Sequence, residues 1–404
     1  MAKDSPTQVD SKFNNSVFSS SKDAIILGSG SFPKFTGEFW TSRQRQGHSL
    51  HEIAYRACFK PQLPKFFIES LTKPGDVVYD PFSGRGTTAL EAALLDRHVI
   101  ANDVNPLSVI LSRPRLFPPT LSEIEERLGE VSFEKKVHAD IDLSMFFHPK
   151  TMTEIVSYKN YFANRFSNHR EDDVDRWIRM VATNRLTGHS SGFFSVYTLP
   201  PNQAVTPADQ IRINAKRKQK PDYRDTKKII LKKSRILLRD VTEEQREQLR
   251  RIGKNAVFLT NDARRTDAIP DNAVQLTVTS PPFLDVVQYA SDNWLRCWFN
   301  GINSESICIT TARSVEEWES IMQDVFRELY RITKSGGYVA FEVGEVRNGK
   351  IRLDEHVVPL GQNAGFKCEG ILINEQQFTK TANIWGVGNN QKGTNTNRIV
   401  LFCK

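Results

Sequence analysis

This chain lacks any pattern for binding a metal or building a disulfide framework. Its five cysteines, Cys58, Cys297, Cys308, Cys368 and Cys403, are scattered with no pair at ligand spacing, so neither a zinc site nor a set of disulfides is implied. The eight histidines show no ligand spacing either, and no metal is called for. No apolar run is long enough for a membrane-spanning helix. Residues 1–23, rich in Ser, Asp, Asn and Lys, carry no signal-peptide pattern. The expectation is a cytoplasmic protein without a membrane partner, its first stretch disordered.

What is present supports a real core. At 404 residues and 39% hydrophobic content, the chain has room for one large domain or two. The net charge of +8 is unevenly placed. Between Ile211 and Asp240 stand Arg212, Lys216, Arg217, Lys218, Lys220, Arg224, Lys227, Lys228, Lys232, Lys233, Arg235 and Arg239, against only Asp222, Asp225 and Asp240. Such a stretch suits a polyphosphate backbone, although a solvated basic helix face gives the same pattern.

Two short motifs carry the chemistry. Asp80-Pro81-Phe82-Ser83-Gly84-Arg85-Gly86-Thr87 follows the strand-like Val77-Val78-Tyr79 and leads into an Ala/Leu-rich helix from Thr87 to Leu95. Gly84 and Gly86 permit a tight turn and close approach to a ligand, and the helix start offers unpaired N–H groups. The dinucleotide fingerprint is a rival reading, but its third glycine is missing here. The second motif, Thr279-Ser280-Pro281-Pro282-Phe283, ends the alternating strand Val274–Val278. Two prolines stop the strand and leave carbonyls to aim outward as acceptors; Ser280 adds a hydroxyl, and Phe283 a flat face for an unstacked base. A proline loop with an aromatic plugging the core explains this second motif equally well.

Together the two motifs resemble those of the DNA amino-methyltransferases that modify cytosine N4 or adenine N6. The resemblance implies that the Asp80 element binds S-adenosylmethionine, with Asp80, Pro81, Phe82, Gly84, Gly86 and Thr87 as contacts. It implies that Ser280, Pro281, Pro282 and Phe283 form the catalytic element holding the target amine, and Ser280 at its head resembles the cytosine-N4 branch. Arg56 to Pro61, with Phe66-Phe67, is similar to the family's upstream donor-binding segment, so Lys60 and Pro61 join the donor set. Asn102-Asp103 ends the strand Val99–Ala101, where an acid would accept from the donor's ribose; Asn261-Asp262 ends Ala256–Thr260, where a polar group would meet its adenine. Many cytosine-N4 enzymes place the Pro-Pro element first, so the order here is a permutation. No Pro-Cys dipeptide occurs, which argues against the covalent cysteine route to cytosine C5.

The expected fold is α/β, a Rossmann-like S-adenosylmethionine-dependent methyltransferase sheet with a large, mostly helical insert. Residues 24–113 read as the donor-binding half, 114–254 as an inserted basic region that is the candidate for target recognition, and 255–404 as the target-amine half. In the insert, Thr120 and Glu123 make a capping box, and Val174, Trp177, Ile178 and Val181 recur at helical spacing. Candidate DNA contacts are Arg185, His189, Arg217, Lys218, Lys220 and Arg224; Asn184, Arg185 and His189 beside a Gly-Ser loop suit base edges, or equally a polar helix end. Gly337–Val343 reads as the fifth strand. Gly370–Asn374 and Asn397–Phe402 read as a closing hairpin, and the Asn/Gly-rich loop Thr379–Val387 between them is expected to touch DNA or shield the pocket. No general base is obvious near Ser280 apart from Asp285.

These readings converge on a site-specific DNA cytosine-N4 methyltransferase acting on double-stranded DNA, the protective partner of a separate restriction endonuclease. The same chemistry on adenine N6 or RNA is the first alternative. A non-catalytic nucleic-acid-binding protein with a vestigial donor pocket is the second.

Overall fold

The structure, a computed structural model, describes residues 22–27, 30–40, 47–56, 58–134, 137–199, 205–282, 289–307, 312–346, 351–375 and 396–404. Phe283, Asp285, the stiff loop at Pro200-Pro201-Asn202 and the Thr379–Val387 loop lie outside the described residues.

The β-branched and aromatic runs become strands. In chain order they are β1 (Lys22–Leu27), β2 (Gly30–Gly37), β3 (Val77–Asp80), β4 (His98–Asn102), β5 (Val257–Leu259), β6 (Val274–Thr279), β7 (Thr333–Val343), a two-stranded ribbon of β8 (Glu345–Val346) and β9 (Ile351–Arg352), then β10 (Lys367–Glu375) and β11 (Thr396–Cys403). Nine of them form one sheet in the order β1-β2-β10-β11-β7-β6-β3-β4-β5. Every pairing from β7 through β5 is parallel, whereas β11 runs antiparallel to both β7 and β10. The fold is therefore α/β with a mostly parallel central sheet.

The chain steps from β3 outward through β4 to β5, then returns to place β6 and β7 on the other side of β3. Strand order reverses between β3 and β6, and in open α/β sheets ligands bind outside the carboxyl ends at such a reversal. The glycine turn and, of the second motif, Thr279 to Pro282 sit there.

Residues 24–113 contribute α1 (Gln62–Leu71), α2 (Thr87–Leu94) and α3 (Leu107–Ser112). The insert is helical, as its periodicity predicts: α4 (Leu121–Glu130), α5 (Pro149–Ser167), α6 (Asp173–Arg185), α7 (Pro207–Arg217), α8 (Thr226–Leu237) and α9 (Glu243–Asn255). Thr120 and Glu123 form the expected capping box, and Asp172 with Asp175 and Thr242 with Gln245 form two more. After β6 come α10 (Tyr289–Phe299), α11 (Val315–Ile332) and α12 (Leu353–Ala364). Among the described residues no helix is long and apolar enough to cross a membrane, and no cluster of potential ligands could hold a metal.

The insert is not a separate globule. Tyr158, Phe162, Trp177, Ile178, Ile230 and Leu237 belong to the same buried cluster as Leu63, Ala89, Leu90 and Val99 beneath the donor turn. Trp177 is fully buried and its indole N–H donates to Ser234 Oγ at 3.0 Å, pinning α6 to α8. A second cluster, with Phe326, Phe341 and Phe402 at its centre, packs α11 and α12 on the opposite face.

Sequence reasoning missed the β1–β2 hairpin, which extends the sheet by two strands; β2 lies parallel to β10. Asn374 secures the chain that follows it, its Oδ1 accepting from the main-chain amides of Phe39 (2.8 Å) and Trp40 (3.2 Å). Asn374→Ala removes the acceptor of a buried amide, at a cost of about 1–3 kcal/mol. The expected outcome is a lowered urea midpoint with an unchanged slope; an unmoved midpoint would show that the clamp adds nothing.

Candidate active site

The glycine turn is braced by four residues whose polar atoms bond within the protein. Asp80, 2% exposed, accepts from the hydroxyl of Thr279 at 2.6 Å and from the Phe82 amide at 3.1 Å. Burial pushes its carboxyl up to about 7, against the pull of those hydrogen bonds. Asp80, expected as a donor contact, also joins β3 to β6 through its Oδ1. Thr88, in the first turn of α2, adds a second tie by donating to the Val278 carbonyl at 3.0 Å. Asn102, fully buried, donates to the carbonyls of Pro81 (3.2 Å) and Asn261 (2.9 Å) and accepts from the Asn261 amide (2.9 Å). One carboxamide thus knits the ends of β3, β4 and β5. Arg115, also fully buried, donates to the carbonyls of Leu111, Leu50, Arg85 and Gly86.

The glycines are required here. Gly84 and Gly86 have φ of 51° and 72°, in the left-handed region. A Cβ on Gly86 would come within 2.4 Å of Ser112 Cβ, so any side chain there would drive α3 away.

Asp103 sits beside the turn, half-buried, with one oxygen accepting from the Gly84 amide (2.8 Å) and the other from the Asn105 amide (2.9 Å). Burial pushes its carboxyl up to about 6. Each oxygen has a second lone pair for a ligand hydroxyl. Ser83 Oγ is buried and has no hydrogen-bond partner. Phe82 is half-buried and Thr87 buried, its hydroxyl accepting from Arg85 Nε at 3.2 Å. Pro81 is buried, its carbonyl taken by Asn102. Arg85 Nη1 donates to the Ile53 carbonyl at 2.7 Å, drawing the segment after Leu50 over the turn, and the Tyr55 ring lies against Gly84. Downstream, Lys60 is exposed and Pro61 opens α1. Asp262 is gripped by Arg264 in a two-pronged pair, Nη2 to Oδ2 at 2.6 Å, and this holds its carboxyl below the usual range.

Across the joint stands the Pro-Pro element. Ser280 lies near Glu342, a 7% exposed carboxylate near the end of β7 that accepts from Asn397 Nδ2 at 2.6 Å. Burial raises the Glu342 carboxyl above its ordinary range. The indole of Trp318 donates to the Pro282 carbonyl at 3.0 Å, fixing that proline inward, while Pro281 is buried. Glu342 is the site residue that sequence reading missed. Its signal was faint: one acid in the otherwise apolar strand Val339–Val343.

The basic residues of the insert divide into two groups. Lys218 and Lys220 are exposed at the end of α7, and Arg217 lies 3.7 Å from the Tyr197 ring. Arg224 is paired with Asp222, and its amide is tied to Thr151. His189 is exposed. Asn184 corrects its sequence-based reading as a base reader: it is 2% exposed and holds both the N–H and the C=O of Ala54 at 3.0 and 2.8 Å. Arg185 is half-buried beside it, 4.0 Å over the Phe193 ring.

Residues 6–109, which contain the whole donor turn and Asp103, match the family model described as DNA methylase. The type II methyltransferase M.BsoBI of Geobacillus stearothermophilus is 20% identical over 68% of this chain and 57% of its own length. The chain thus spans just over half of that relative. M.PvuII of Proteus hauseri is 40% identical over 17% of this chain and 21% of its own. Among solved structures, the Thermus thermophilus protein TTHA0409 in complex with S-adenosyl-L-methionine is 21% identical, over 36% of this chain and 53% of that one, with a TM-score of 0.24. The similarity to the N6/N4 DNA methylases is thus carried by residues 6–109, the segment that holds the glycine turn.

Proposed function

We propose that this chain transfers a methyl group from S-adenosylmethionine to the exocyclic N4 of cytosine in a specific DNA sequence. The observation that carries the reading is the joint itself: the Asp80–Thr279 hydrogen bond sets the glycine turn beside Ser280-Pro281-Pro282 at the sheet's reversal point. A donor fits the turn on three counts. Two left-handed glycines open the backbone, Asp103 has lone pairs to spare for ribose hydroxyls, and the orphaned Ser83 hydroxyl needs a polar partner.

The donor supplies an electrophilic methyl on a sulfonium. A cytosine is swung out of the duplex, at a cost of a few kcal/mol, to reach it. In this reading the Ser280 hydroxyl turns its proton to the nearby Glu342 once the base is bound, which leaves the serine oxygen's lone pairs to an amine N–H. The Pro281 carbonyl takes the other N–H. These bonds favour a tetrahedral nitrogen and aim its lone pair, so the rate gain is one of orientation and charge placement. As the N–C bond forms and the C–S bond breaks, the nitrogen becomes cationic; its surplus proton passes through the Ser280 hydroxyl to Glu342 and then to water.

Serine at position 280 supports cytosine N4; adenine N6 is the alternative within the same chemistry. Lys218 and Lys220, with Arg217 beside them, supply exposed charge for the DNA backbone. Since M.BsoBI and M.PvuII are type II methyltransferases, a separate endonuclease with the same target is the proposed partner.

Four outcomes are expected. Incubation with S-adenosylmethionine and unmethylated bacterial DNA, followed by nucleoside mass spectrometry, yields N4-methylcytosine. N6-methyladenine would refute the base assignment, and DNA binding without donor uptake would leave a vestigial pocket. Ser280→Ala and Glu342→Gln each lower the single-turnover rate by about 10² or more, with donor affinity unchanged. Glu342 accepts only when ionised, so wild-type activity falls with decreasing pH through a limb above the ordinary carboxylate range, and Glu342→Gln lacks that limb. Asp103→Asn weakens donor binding by roughly tenfold or more, the loss of a charge-assisted hydrogen bond of about 1.5–3 kcal/mol, as titration calorimetry would read directly.

A further inference from the structure

The seam between the insert and the donor half holds positive charge that the mechanism above does not use. On α8 the buried positions are Thr226, Ile230, Lys233, Ser234 and Leu237, so a lysine stands in the core stripe of an amphipathic helix. Lys233 is 9% exposed, and lysines are almost never buried without a partner. The carboxylate beside it, Glu52, lies 3.9 Å away, beyond hydrogen-bond reach, and is already shared with Arg239 at 3.0 Å. Burial and the Arg185 guanidinium push the Lys233 ammonium down to about 8.

Arg185 approaches from the end of α6. Its Nε and Nη2 donate to the carbonyl and side-chain oxygens of Asn184, both at 3.0 Å, and it pairs with no carboxylate among the described residues. Arg296 reaches in from α10, 7% exposed, and donates to the Ala54 carbonyl at 3.2 Å. Lys233 and Arg296 thus reach the segment Glu52–Arg56 directly, and Arg185 stands beside it through Asn184, which clamps Ala54. Like charges brought together away from water repel strongly, and an anion between them removes that repulsion.

We propose that Arg185, Lys233 and Arg296 form an inward oxyanion site that takes a backbone phosphate of the strand carrying the target nucleotide. This rests on the reading of the chain as a DNA methyltransferase. The same segment is tied to the donor turn by Arg85, through the carbonyls of His51 and Ile53. α10, which carries Arg296, follows the Pro-Pro element directly in the chain. A nucleotide swung out of the duplex brings its phosphates with it, and such contacts fix register without reading sequence. The donor's carboxylate is an oxyanion too; a phosphate is favoured because Arg185 and Lys233 both come from the insert.

The first test needs no knowledge of the target sequence. Thermal unfolding of the full chain in inorganic phosphate is compared with chloride at equal ionic strength. Wild type shows a saturable, phosphate-specific rise in Tm, which Lys233→Met and Arg185→Gln lose and the exposed control Lys228→Met retains. On duplexes carrying the methylated site, each inward variant binds about tenfold more weakly, and the slope of affinity against salt shrinks by about one. Donor affinity stays unchanged. Absence of a phosphate-specific rise in wild type overturns the site. Weakened donor binding with intact DNA affinity overturns it as well, assigning the cluster to the donor's carboxylate. Failure of the underlying reading registers separately, as wild-type protein that yields no methylated base.

Discussion

A buried carboxylate holds the two halves of the site in register. Asp80 and Thr279 stand 199 residues apart in sequence, yet share a 2.6 Å hydrogen bond at the seam of β3 and β6. Burying a carboxyl is costly, and its upward shift to about 7 records that cost. The bonds from Thr279 and the Phe82 amide offset part of it. Methyl transfer depends on separation and angle between the two reactants far more than on acid–base strength. For the proposed transfer, a short rigid link between the glycine turn and Ser280-Pro281-Pro282 therefore matters more than any one contact to either reactant, and Asn102 and Arg115 extend the same rigidity to the neighbouring strand ends.

The insert follows from that constraint. Because α5, α6 and α8 share a buried cluster with the helix that follows the donor turn, their inner surface is fixed relative to the chemistry, not hinged to it. Its charges are sorted accordingly. Lys218 and Lys220 face water and suit steering of a polyanion, whereas Arg185 and Lys233 turn inward, where each charge is worth more because less water screens it.

Legibility in the sequence tracked how local each cause is. The strand, turn and helix around Asp80 announce themselves through β-branched runs, two glycines and an Ala/Leu helix. The capping box at Thr120 and the amphipathic spacing of α6 are equally local. What stayed hidden depends on distant partners. β1 and β2 carry little periodicity of their own; β2 is ordered by pairing with β10, and β1 by pairing with β2. Asn102 and Asn184 look like surface polar residues until their carboxamides are seen to clamp main chain 159 and 130 residues away. Lys233 is one cation among twelve in the basic run, and nothing in the run marks it as the one that faces the core.

In the proposed reaction, the nearness of Ser280 to Glu342 bears on which amine the loop would take. An aspartate at the head of a Pro-Pro element brings its charge straight to the amine, whereas a serine holds charge one hydroxyl further back, with Glu342 behind it. That arrangement asks little of the amine before transfer: the serine oxygen orients it without stripping a proton. The demand comes afterwards, when the methylated nitrogen is cationic and strongly acidic. An acceptor is then most effective if its own pKa lies near the working pH, and burial moves Glu342 in that direction. A hydroxyl backed by a buried carboxylate is thus matched to a reaction in which the leaving group departs as a neutral thioether and the proton leaves last.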